Sequence, residues 1–189
     1  MIIALSKKIV NFLTSVANTE PEPNQMEVYI YGLECFLNTI FTVLILLIWG
    51  TLTNTLIETC CWLLAFSILR HHSGGLHAHT QFSCILSSCL LGISNALVIK
   101  FVVFQTSRAW FICILCIAIC FLYAPTDTSK YELTESKQKK EKLYSISILM
   151  IGFIVAFILK NKISISILYS NICVCILLLA NVLIHKIKS

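Results

Sequence analysis

From Arg70 to Cys84 the chain reads Arg-His-His-Ser-Gly-Gly-Leu-His-Ala-His-Thr-Gln-Phe-Ser-Cys, a segment holding four of its five histidines. Its flanks are apolar. Titratable groups at the edge of a hydrocarbon phase are costly, so their concentration there points to function. The segment supplies a thiol nucleophile (Cys84), imidazole bases (His71, His72, His77 and His79) and backbone freedom at Gly74-Gly75. These are the parts needed for cysteine-based acyl transfer.

Spacing constrains how such parts can meet. In one continuous helix His77 and Cys84 share a face but lie ~10 Å apart along the axis at 1.5 Å per residue. A working nucleophile and base need contact near ~3 Å. The chain must therefore break and fold back between them, and the glycine pair before His77 permits this. Cys84 is expected in the first turn of the next helix, where the N-terminus favours thiolate. Spacing leaves the choice of base open among the four histidines. A water-facing polar loop is the bland alternative. A metal site built from His77, His79 and Cys84 is disfavoured, because no carboxylate lies between Glu58 and Asp127 and no HExxH pattern occurs. No metal and no cofactor are expected.

The elements that must position this segment are set by composition. The 189 residues are 58% hydrophobic and only 12% charged, about half the charged share of a soluble domain. The expected fold is an all-α integral membrane protein forming a single polytopic domain over residues 1–189. Nine of the ten cysteines lie inside apolar runs, where Cys is a small hydrophobe, and this argues against a disulfide framework. The Cys113-x-x-Cys116 spacing sits among Trp110, Phe111, Ile112, Ile114 and Leu115, and is read the same way. The net charge of +5 comes from residues at the ends of apolar runs, so lipid headgroups are the expected partner and nucleic acid is not.

Residues 1–19 read as an amphipathic helix, with Ile2, Leu5, Ile9, Phe12, Leu13 and Val16 on one face and Lys7, Asn11, Thr14 and Asn18 on the other. Such a helix lies in the membrane interface, and Pro21 and Pro23 end it. Six spanning runs follow over 28–184: about 28–49, 52–69, 82–103, 107–124, 145–159 and 163–184. The fifth is short and needs its flanks. With the N-terminus inside, ten Lys and Arg residues are cytosolic (7, 8, 70, 130, 137, 139, 140, 142, 186 and 188) and four are external (100, 108, 160 and 162). The excess predicts cytosolic termini, and puts loops 70–84 and 125–144 on the cytosolic side.

Arg70, Gly75-Leu76-His77-Ala78 and Cys84 together resemble the signature of the accessory gene regulator protein B family, bacterial membrane endopeptidases that mature quorum-sensing peptides. The likeness extends over essentially the whole chain: an amphipathic start, about six spans and a lysine-rich internal loop. It implies Cys84 as nucleophile and His77 as base, in the bacterial cell membrane. The substrate it implies is a small propeptide with an amphipathic leader, a central Cys or Ser and an acidic C-terminal tail. Cleavage would release the tail, and the internal nucleophile would close a thiolactone or lactone. The resemblance also allows a homodimer. Arg70 and Gly75 are then supporting residues. Glu34, in the cytosolic half of the first span, is a candidate partner for Arg70 or a third member behind His77. Lys137, Lys139, Lys140 and Lys142 are expected to attract the acidic tail as well as anchor the topology. The rival reading is a non-enzymatic transporter or export component gated by the His/Cys loop.

Overall fold

Short polar breaks divide an apolar chain, and each break ends one helix and starts the next. The computed structural model describes residues 2–17, 22–74, 81–126 and 135–188. Among them the elements are all helices: α1 (Ile2–Val16), α2 (Pro23–Leu52), α3 (Leu56–Ser73), α4 (Gln81–Phe101), α5 (Thr106–Tyr123), α6 (Glu135–Leu159) and α7 (Lys162–Lys188). An all-α fold is thus what forms. Local chemistry explains the boundaries. Pro23 opens α2 at a position where its missing N–H costs nothing. Asn54 takes a left-handed φ of 56° between α2 and α3. Asn161 accepts from the backbone N–H groups of Ile163 and Ser164, capping α7.

Two expected boundaries need correction. The second helix occupies Leu56–Ser73, not 52–69. The turn at Asn54 delays its start, and Arg70, His71 and His72 extend its end because cations suit a helix C-terminus. The expected loop 70–84 is therefore helical at both ends. The fifth run borrows its upstream flank: α6 begins at Glu135, so residues 135–144 of the expected loop 125–144 are helix. That stretch is rich in Lys, Glu and Gln, all good helix formers.

Among the described residues, four helices are long and apolar enough to cross a membrane: Gln25–Leu52, Thr106–Tyr123, Glu135–Leu159 and Lys162–Ile184. The apolar stretch Ile85–Phe101 of α4 is shorter, and α3 carries Glu58 near one end and Arg70 to Ser73 at the other. The exterior is that of a membrane protein. Ile48, Ile57, Leu64, Phe111, Ile114, Leu122 and Ile158 are all exposed, far more than water tolerates on a soluble surface.

α7 is the hub, packing against α3, α4, α5 and α6. Its buried face uses small side chains (Ser164, Ser166, Ser170, Cys173 and Cys175) together with Leu168, Val174 and Leu178. Small residues let backbones approach where no hydrophobic force drives helices together. The cysteines follow this logic: the nine described are all free thiols, six of them buried. Cys113 and Cys116 belong to the buried face of α5.

α1 packs on α2, but with an unexpected face. Ser6 and Val10 are buried, whereas Leu5, Phe12, Leu13 and Val16 point outward. The apolar face is thus left for lipid, as an interfacial helix requires. The seam against α2 instead runs through Ser6 and Val10.

α2 and α4 meet at Gly92. A Cβ there would sit 2.5 Å from both methyls of Leu46, which is itself fully buried. Overpacking of this kind costs roughly 1–3 kcal/mol. Gly92→Val is therefore expected to lower the thermal midpoint in detergent. An unchanged midpoint would show that the two helices part without strain.

Candidate functional site at the α3–α4 junction

The ends of α3, α5 and α6 converge at one end of the bundle. In the last turn of α3, the Arg70 guanidinium carbon lies 5.6 Å from the centre of the Phe66 ring, within cation–π range. Ser73 is completely buried. Gly74 ends the helix with φ 74° and ψ −149°, its N–H donating to the Arg70 carbonyl at 3.1 Å. The Thr126 N–H, just beyond α5, donates to the Ser73 carbonyl at 3.2 Å. A Cβ on Gly74 would meet the Thr126 carbonyl oxygen at 2.7 Å and its Oγ1 at 2.8 Å. Here glycine is required twice over, for its backbone angle and for its lack of bulk.

Cys84 falls in the first turn of α4, which begins at Gln81, and α4 packs against α2, α3 and α7. For Cys84 the description is confined to the backbone. Gly75, His77 and His79 lie outside the described residues, and with them the Cys84–His77 contact and the His77, His79, Cys84 metal alternative. Among the described residues no cluster of His, Cys, Asp and Glu is arranged to hold a metal ion.

Glu34 is half-buried in α2. Because α2 starts at Pro23, Glu34 stands about three turns into its helix. Neither Glu34 nor Arg70 is without a partner. Lys137, Lys139 and Lys140 are exposed in the first turns of α6, presented by a helix and not by the loop expected from sequence. Lys142 differs from the other three: its Nζ lies 4.5 Å over the Phe121 ring of α5.

One contact is not legible in the sequence, where His72 is only one of four candidate bases. Its Nδ1 is 2.7 Å from Oε2 of Glu141. The ring also contacts those of His71, with centroids 5.0 Å apart, and Tyr144, at 5.4 Å. His72 and Glu141 are 69 positions apart. No local pattern links them, since Glu141 reads as one acid inside a lysine run.

Relatives now complete the picture. The family described as Accessory gene regulator B matches residues 6–179, nearly the whole chain and all of the junction. The chain belongs to that family. It is 30% identical over 159 residues to "Putative AgrB-like protein 2" of Clostridium perfringens (strain 13 / Type A), covering 80% of this chain and 73% of that one. It is 28% identical over 131 residues to accessory gene regulator protein B of Staphylococcus carnosus (strain TM300), covering 69% and 68%. The corresponding figures for the protein of that name in Staphylococcus aureus (strain MRSA252) are 24% over 130 residues, 69% and 70%. No solved structure matches. The family match takes in α2 to α6 entirely and most of α1 and α7.

Proposed function

We propose that this membrane protein is a cysteine endopeptidase that matures a small signalling propeptide for quorum sensing. The observation that carries the reading is family membership across the segment holding Arg70, Gly75, His77 and Cys84. The position of Cys84 in the first turn of α4 supports it. The helix dipole and free N–H groups there stabilise a thiolate.

In this mechanism His77 takes the Cys84 proton, and the thiolate attacks the carbonyl carbon joining the propeptide core to its tail. The C–N bond breaks as the imidazolium returns a proton to the leaving amine, and the tail departs. The core remains as a thioester on Cys84. The propeptide's own Cys or Ser then gives its proton to His77 and attacks the same carbonyl, the C–S bond to Cys84 breaks, the Cys84 sulfur leaves and takes the proton back, and the ring closes. An internal nucleophile acts at high effective molarity, and a membrane-edge site limits competing water. Thioester exchange is close to isoenergetic, so the step needs no cofactor. The chemistry runs at the cytosolic face of the bacterial cell membrane, with six helices spanning and both termini inside.

The test is mass spectrometry of the propeptide incubated with membranes containing the wild type. Tail loss with a core one water lighter than its linear form is the expected product. An intact propeptide overturns the reading and returns the segment to a gate in a transporter.

Lys137, Lys139 and Lys140, all exposed, would draw in the acidic tail, with Lys142 alongside. Replacing all four with Gln is expected to raise KM several-fold at low salt with little change in kcat. The gap should narrow as salt rises, because the Debye length falls from ~30 Å at 0.01 M to ~10 Å at 0.1 M. An equal KM at low salt would leave these lysines as topology anchors only.

A further inference from the structure

The last turn of α3 is held at two points, one just beyond α5 and one in α6. Thr126 bonds the Ser73 carbonyl, and Glu141 bonds the His72 ring. The 2.7 Å separation of Nδ1 and Oε2 is that of a charge-assisted bond. Each side chain is only about a quarter exposed, at 26% and 25%, so water screens the pair less than it would a surface one. Immediately after these contacts Gly74 turns the chain out of the helix. His77 follows three residues later, and α4 starts at Gln81. The direction in which the chain leaves α3 is therefore fixed at His72 and Ser73. Glu141 also stands between Lys140 and Lys142 in α6. The turn that offers lysines to solvent is the one that grips α3.

We propose that His72 and Glu141 are a positioning pair for the reaction at Cys84, through which the basic end of α6 holds the end of α3 that precedes His77 in the chain. The inference rests on the assignment of Cys84 and His77 above. Neither His72 nor Glu141 touches the reacting atoms. They act through the end of α3, and a displacement of ~1 Å far from the chemistry can cost as much as 100-fold in rate. The pair therefore acts on turnover, while tail capture depends on the neighbouring lysines.

The full-length protein in lipid bilayers provides the test, with kcat and KM for propeptide cleavage taken per folded molecule. Glu141→Gln and His72→Gln are each expected to lower kcat about tenfold and leave KM within twofold. Glu141→Asp should recover most of the loss. The double variant should be no slower than either single one, as for two residues acting through one contact. In the same samples, site-resolved N-ethylmaleimide labelling of Cys84 should slow relative to that of Cys35, which is exposed on α2. Unchanged kcat in Glu141→Gln overturns the proposal. So does a loss of folded protein with normal turnover in what remains, because the pair would then serve the fold alone. Cleavage surviving in Cys84→Ala would overturn the underlying assignment instead, and that control separates the two failures.

Discussion

Membranes carrying Cys84→Ala are expected to leave the propeptide at full length. In the proposed mechanism the substitution removes the atom that forms the thioester, so both cleavage and ring closure go with it. The expected fall in turnover is at least 1000-fold, on the order of what removing a catalytic nucleophile costs elsewhere. The helix should survive, since Cys84 lies in the first turn of α4 and alanine is the best helix former. Cys84→Ser is the sharper companion. Serine keeps the shape and a hydroxyl, yet lacks a readily formed anion, so it should be almost as inactive. Mass spectrometry of the propeptide, beside an immunoblot for membrane abundance, reads both. Tail release by either variant at more than a hundredth of the wild-type rate would remove Cys84 from the chemistry.

Gly74→Ala should be the most damaging single methyl group at the junction. At φ 74° and ψ −149° the backbone stands in a region essentially reserved for glycine. The added Cβ would also press on the Thr126 carbonyl at 2.7 Å, a backbone atom that cannot swing aside like the end of a side chain. Strain of this class costs ~1–3 kcal/mol. Relief requires Gly74 to shift or Thr126 to withdraw, and either breaks the Thr126–Ser73 hydrogen bond. A lowered thermal midpoint is expected together with a fall of more than tenfold in kcat, since Gly74 stands three positions before His77, the base of the proposed mechanism. Gly32→Ala is the matched control, because a Cβ there meets nothing within 4 Å. Equal midpoints and rates for the two variants would show that the α3 exit is soft and does not position the site.

Much of this was legible in the residues themselves. A chain that is 58% hydrophobic and 12% charged, broken at Pro23, Asn54, Gly74 and Asn161, has few options besides a helical membrane bundle. Every backbone polar group must be satisfied internally in lipid, and a helix does this within one segment. Arg70, Gly75, His77 and Cys84 stand out because reactive groups are rare among apolar neighbours, and their order led to the family that residues 6–179 match. Helix ends were less legible. The extra turn at the end of α3 and the long start of α6 depend on dipole and propensity effects of a few tenths of a kcal/mol per residue, which hydropathy does not register.

Only the tertiary structure joined distant residues. It turned Ser6 and Val10 of α1 towards α2 and left Leu5, Phe12 and Val16 exposed. It set Gly92 against Leu46 and Gly74 against Thr126. It also gave His72 its partner in Glu141. The physical reason is common to all of these. Composition and period fix what a segment must bury or expose, because those costs are local to the segment. Which group fills the space beside another depends on how separate helices pack, and two residues 69 positions apart carry no local sign that they will meet.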